Sequence, residues 1–135
     1  MPMEYDILLR FLASAIVGLV IGFMRRHKAA GLRTFALICF GATVFTIVSI
    51  DPRLGAGDPS RAIAQIIAGI GFLGLGVIWK YEGRLTGLTT AAAVWVTASL
   101  GIMVGLAFWT EALAATAITM AILYSKEPLV KAKIE

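Results

Sequence analysis

The chain has 135 residues, 59% of them hydrophobic and 15% charged, with a formal net charge of +4 and a mean hydropathy of +0.89. A soluble domain carries about 25% charged residues, so this composition argues against a water-soluble globule. The charges are also segregated, which leaves apolar runs long enough to cross a bilayer.

In chain order, the first predicted helix covers residues 7–24 and holds one charge, Arg10, near its start. A removable signal peptide explains this run poorly, because acidic residues precede it and basic ones follow. Gly18-x-x-x-Gly22 within it is a close-packing signature. A basic loop from Arg25 to Arg33 follows, in which Gly31 permits a turn and Arg33 opens the second predicted helix, residues 34–50. Cys39 is the only cysteine and has no intrachain partner; His27 is likewise alone, in the loop.

The third predicted helix, 62–79, carries four glycines in its inner half: Gly69, Gly71, Gly74 and Gly76. Each costs a helix about 1 kcal/mol relative to Ala in water, and in a membrane the usual compensation is close approach of a neighbour. The string Gly69-x-Gly71-x-x-Gly74 matches a dinucleotide fingerprint as text, but it lacks the preceding strand and turn. At 100° per residue, Gly69 and Gly76 share a face with Arg61, Gln65 and Phe72, while Gly71 and Gly74 lie opposite. This helix is therefore expected to sit between two close neighbours. From Leu88 to Tyr124 the chain is apolar for 37 residues, roughly 55 Å as one helix against a hydrocarbon core of about 30 Å. A turn is expected near Leu106–Glu111, giving helices at 88–105 and 110–125, with Gly101-x-x-x-Gly105 as a further packing signature. Residues 126–135 are expected to be a short cytoplasmic tail.

The expected fold is all-α: one polytopic domain, residues 1–125, forming a compact bundle of five transmembrane helices. With five crossings, nine Lys and Arg residues fall on one side and three on the other. Basic residues are retained in the cytoplasm, which places the N-terminus outside and the C-terminus inside. The net positive charge then reads as a topology signal, with no nucleic-acid partner expected.

Three polar features stand out. Arg61 and Gln65 are one turn apart near the outer end of the third helix, and Asp58 or Asp51 is positioned to neutralise the arginine. Asp51, Asp58, Arg61 and Gln65 thus form a candidate polar site at an outer mouth, or alternatively a network that fixes the loop. The Arg25–Arg33 loop is a candidate lipid-headgroup or partner contact. Gly87-Leu88-Thr89-Thr90-Ala91-Ala92 leads to Trp95, with Thr89 or Thr90 expected to cap the fourth helix. No carboxylate lies in the middle of a predicted helix. There is no P-loop, HExxH motif, Cys/His metal spacing or Ser/His pairing. No enzyme activity, metal site or cofactor is expected.

Taken together, three strings resemble the MgtC/SapB (YhiD) family of bacterial inner-membrane proteins. They are Ala30-Gly31-Leu32-Arg33-Thr34, then Arg61 and Gln65 leading to Gly69-Ile70-Gly71-Phe72-Leu73-Gly74, then Gly87 to Ala92 with Trp95. The resemblance implies a five-helix bundle in the bacterial plasma membrane and a link to growth under Mg²⁺ limitation or to virulence. It also implies a modulator of other membrane proteins, with the F-type ATP synthase and sensor kinases as partners proposed for some members. The matched positions are Arg33, Arg61, Gln65, Thr89, Thr90 and Trp95. This chain departs from the family pattern where Met24 replaces an acidic residue before Arg25 and where Phe35 replaces a histidine. A charge pair or proton-sensitive contact built from those residues is expected to be lost. Some members carry a soluble C-terminal domain, and functions that depend on it are not expected here.

The leading expectation is a non-enzymatic regulatory membrane protein, a homodimer, that binds other membrane proteins within the lipid bilayer. The alternative is a small Mg²⁺ transporter or channel whose outer mouth is Asp51, Asp58, Arg61 and Gln65. Mg²⁺ sheds water reluctantly and usually binds through carboxylates, so the absence of mid-helix acids disfavours that alternative.

Overall fold

The computed structural model describes residues 4–54 and 57–125. Five helices follow one another: α1 (Glu4–Met24), α2 (Leu32–Ser49), α3 (Pro59–Leu75), α4 (Leu88–Gly105) and α5 (Trp109–Tyr124). A short 3₁₀ turn, Pro52–Leu54, lies between α2 and α3. An antiparallel hairpin of β1 (Trp79–Tyr81) and β2 (Arg84–Thr86) lies between α3 and α4. Apart from that hairpin the fold is all-α. Helices α1, α2 and α4 are long and apolar enough to cross a membrane, while α3 and α5 are shorter apolar helices of 17 and 16 residues. The expected tail at 126–135 lies outside the described residues.

The boundaries have local causes. Helix α3 starts with Asp58 as its N-cap, the carboxylate accepting from the Ser60 amide at 2.9 Å, and with Pro59 in the first turn. It stops at Leu75, four residues short of the expected end at 79. Gly74 and Gly76 weaken the helix there, and the β-branched and aromatic run Val77-Ile78-Trp79 leads into the first strand. The hairpin reverses at Glu82 and Gly83, both with positive φ (48° and 79°), as a two-residue type I′ turn requires. Neither Thr89 nor Thr90 caps α4. Its N-cap is Gly87, at φ 86°, with no side-chain cap bond. At the other end, Ala107 adopts φ 59° while the Ala107 and Phe108 amides donate to Val104 and Met103 at 3.0 and 2.9 Å. This is a Schellman turn with alanine at the usual glycine position, and it lies within the expected turn region.

Helix α4 is the hub of the bundle, burying ten residues and touching each of the other four helices. The deepest side chains include Ile21, Phe35, Cys39 and Leu100, and Phe11 meets Phe40 edge-on across α1 and α2 at 5.4 Å. Polar groups point inward. Thr43 donates to the Cys39 carbonyl at 3.1 Å and reaches the Gly101 carbonyl on α4 at 2.7 Å. Thr46, Thr97, Thr116 and Thr119 each donate to the carbonyl four residues back. Arg10 is 8% exposed; it donates to the Gly105 carbonyl at 2.7 Å and pairs with Asp6. Outward faces are apolar instead, with Leu12, Ile16 and Phe23 of α1 all more than half exposed. A polar-in, apolar-out arrangement suits a hydrocarbon surround.

Candidate functional site

A concavity of about 1160 Å³ runs along the bundle between α2 and α3. It exists because α3 leans on α4 and makes few contacts with α2. Gly74 is the only buried residue of α3, and a Cβ added there would lie 3.7 Å from the Ala91 side chain, in ordinary contact. The expectation of two close neighbours for this helix therefore fails within one chain. A Cβ built at Gly69 or Gly71 meets nothing within 4 Å, and one at Gly76 meets only the carbonyl of Leu73 in its own helix. Gly41, on the α2 wall of the groove, also faces open space. The remaining walls are mainly apolar, including Leu37, Phe45, Ile66 and Leu73.

Asp58, Arg61 and Gln65 all line this groove, one end of which is therefore polar. Asp51 does not join them. It forms a fork with Arg53, accepting at 2.5–3.0 Å from the guanidinium and at 2.8 Å from the backbone amide. These hydrogen bonds pull its pKa down to about 2. Hydrogen bonding from Ser60 likewise lowers the pKa of Asp58, whose carboxylate is taken up by the cap. Neither acid neutralises Arg61, which makes no ion pair among the described residues. Local partners two residues away have won over the longer reach, as the low entropy of short closures favours.

The other residues singled out by sequence are dispersed. Arg33 is exposed at the start of α2, and Trp95 is half exposed on α4. Thr90 is buried and accepts a hydrogen bond from Arg25, 65 residues earlier, at 2.5 Å. Sequence reasoning missed this contact because only the fold joins the α1–α2 turn to the start of α4. It also missed the Arg10–Asp6 pair, although the four-residue spacing on one helix was a usable signal. Met24 is half buried and Phe35 is fully buried in the core. Arg25, beside Met24, therefore has a threonine rather than a carboxylate as its partner.

At Gly18, Gly22, Gly101 and Gly105 the helices touch directly. An added Cβ would lie 2.6 Å from Ala36 backbone at Gly18, 2.7 Å from Leu32 backbone at Gly22 and 2.7 Å from Thr46 at Gly105. At Gly101 it would collide with the Cys39 carbonyl. These positions bind α1 to α2 and α2 to α4.

The family model described as the MgtC family matches residues 11–132. Protein MgtC of Salmonella typhimurium (strain LT2) is 42% identical over 118 residues, covering 86% of this chain and 50% of the relative. Protein MgtC of Brucella abortus (strain 2308) is 42% identical over 120 residues, covering 86% and 49%. The chain thus spans about half the length of the curated relatives it matches. No solved structure matches it. The chain belongs to the MgtC family.

Proposed function

We propose that this member of the family is a non-enzymatic modulator that acts by binding other membrane proteins, with the α2–α3 groove as its docking face. The setting is the bacterial inner membrane, which five helices cross with the N-terminus outside and the C-terminus in the cytoplasm. The role is linked to growth under Mg²⁺ limitation or to virulence, with the F-type ATP synthase or sensor kinases as candidate partners and a homodimer as the working assembly. The openness of α3 carries this reading: it is rich in glycine, has a single buried residue, and leaves the Gly69 and Gly71 positions facing open space. Its exposed Gln65 amide also has no hydrogen-bond partner among the described residues, a costly state in hydrocarbon unless a partner supplies one.

The alternative is an ion path for Mg²⁺ along the same groove, favoured by the polar end formed by Asp58, Arg61 and Gln65. Charge weighs against it. Asp58 is the only carboxylate among the groove-lining residues and is occupied by its cap, while Arg61 places a positive charge at the same end. Mg²⁺ favours oxygen ligands and carboxylates.

Two assays test the pair. Photo-crosslinking from position 73 in intact cells under magnesium starvation is expected to capture a membrane protein, and Gly69→Leu to abolish that capture. Mg²⁺ influx into sealed liposomes holding the purified chain is expected to equal that of empty liposomes. Influx that Arg61→Ala with Gln65→Leu abolishes would establish the ion path instead.

A further inference from the structure

The α2–α3 groove changes polarity in a fixed order along its length. Its α3 wall runs from Asp58 and Arg61 through Gln65 to Gly69, Leu73 and Gly76, positions three or four apart that make one helix face. Arg61 lies in the first turn of α3 and Gln65 one turn deeper, about 6 Å along the axis. Beyond Gln65 this wall is apolar to Gly76, over roughly 16 Å. One leaflet's share of a hydrocarbon core about 30 Å thick is close to that length. The α2 wall opposite is apolar as well, with Leu37, Gly41 and Phe45.

The polar end carries both signs of charge. Asp58 caps the Ser60 amide through Oδ1 at 2.9 Å, and that bond lowers its pKa and keeps it anionic at neutral pH. Its Oδ2 accepts no hydrogen bond among the described residues, so a further donor can bind there with the cap left in place. Arg61, three residues on, makes neither an ion pair nor a side-chain hydrogen bond among the described residues. The groove thus presents a separate anion and cation at one end, then an amide, then an apolar channel.

A channel of this kind does not stay empty in a bilayer, because unfilled space forfeits dispersion contacts along its lining. The medium against the apolar outer faces of the bundle is lipid, and the order of charge, amide and apolar wall is also the order of headgroup, ester carbonyls and acyl chains in a phospholipid. An anionic headgroup would satisfy Arg61 and leave Asp58 facing like charge. A zwitterionic headgroup with a primary amine satisfies both, through charge-assisted hydrogen bonds.

We propose that, while no protein is docked, the groove holds one phospholipid of the phosphatidylethanolamine class, with its phosphate on Arg61, its ammonium on Asp58, an ester carbonyl at the Gln65 amide and its acyl chains between α2 and α3. This rests on the reading of the groove as a docking face, and it makes the lipid the competitor that a protein partner displaces. In the proposed topology the headgroup lies in the outer leaflet.

The test titrates the full chain, in lipid-free detergent, with phosphatidylethanolamine, phosphatidylcholine or phosphatidylglycerol of matched acyl chains, and follows thermal unfolding. Phosphatidylethanolamine is expected to raise Tm saturably, with half-saturation at roughly tenfold lower lipid than the other two. Phosphatidylcholine lacks the ammonium protons, and phosphatidylglycerol lacks the ammonium. Asp58→Asn keeps a side chain able to cap α3 and is expected to abolish the preference over phosphatidylglycerol. Arg61→Gln is expected to weaken all three lipids, since each carries the phosphate. A purely structural role for either residue would shift the lipid-free Tm and leave the ratios between lipids unaltered. Equal half-saturation by the three lipids overturns the proposal, as does an Asp58→Asn chain that keeps the preference. Crosslinking from position 73 separates this outcome from the docking reading. Capture of a second copy or another protein without lipid selectivity ends the lipid proposal and leaves the docking face standing; lipid selectivity without protein capture does the reverse.

Discussion

Gly101 on α4 and Gly69 on α3 are both helical glycines in apolar segments, yet their surroundings are opposite. A methyl group at Gly101 would run into the Cys39 carbonyl and the Ala42 side chain of α2, whereas one at Gly69 would meet nothing within 4 Å. The first lies in a closed seam, where absence of a side chain lets two backbones touch. The second lies on an open wall, where the same absence leaves the α3 backbone uncovered. The molecule thus joins a closely packed unit of α1, α2 and α4 to a helix held mainly by α4.

One substitution made at both positions tests the contrast most strongly. Gly101→Ala forces apart helices that have no room to yield and is expected to destabilise by about 3 kcal/mol. Gly69→Ala removes a helix-weakening residue at an unobstructed position and is expected to stabilise by up to about 1 kcal/mol. Thermal or denaturant unfolding in detergent reads both. Equal destabilisation at the two sites would mean that α3 is packed as tightly as α4, and the groove would lose its meaning.

This contrast also marks how far the sequence could be read. Hydropathy locates apolar helices well, and α4 coincides with the predicted 88–105 because Gly87 and Leu106 bound a uniform run. The third helix was misjudged twice, for physical reasons. Val77, Ile78 and Trp79 are as apolar as a helix interior, so composition does not register that the chain has become extended. Glycine spacing, moreover, says that a close approach is permitted but not which body makes it. For Gly101 that body is α2; for Gly69 the chain supplies none within 4 Å. Among the polar residues, Arg61 and Gln65 share a face by periodicity alone, so their joint place on the groove follows from sequence. The Arg25–Thr90 contact depends on tertiary structure and had no local sign.

The two arginines nearest the ends of the closed and open regions extend the test. Arg10 is buried and holds the Gly105 carbonyl and Asp6 together, tying α1 to the end of α4. Arg10→Met strands a partly buried carboxylate and is expected to cost about 3 kcal/mol or more. Arg61 is exposed on the groove with no ion pair among the described residues, so Arg61→Met is expected to change stability by less than about 0.5 kcal/mol. Comparable losses would show that the polar end of the groove is structural. A smaller gain is available at the turn after α4, where Ala107 holds φ 59°. Ala107→Gly relieves a conformation that suits glycine and is expected to add up to about 1 kcal/mol to stability.

The smallest effect concerns the connection between α2 and α3, where Asp51 is bound by Arg53 rather than by Arg61. A carboxyl whose pKa falls on folding stabilises the fold above its ordinary value of 3.8, and that contribution disappears as the pH drops through about 2. Because the pair is solvent-exposed, the change in stability is minor, and the titration itself is the better observable. Carboxyl NMR is expected to give Asp51 a midpoint of about 2. Arg53→Gln should move that midpoint up toward 3.8, and Arg61→Gln should leave it in place. A midpoint that follows Arg61 would restore a single four-residue cluster and draw the loop onto α3. One that follows Arg53 keeps the loop's charge satisfied locally, and Arg61 then stays available to whatever enters the groove.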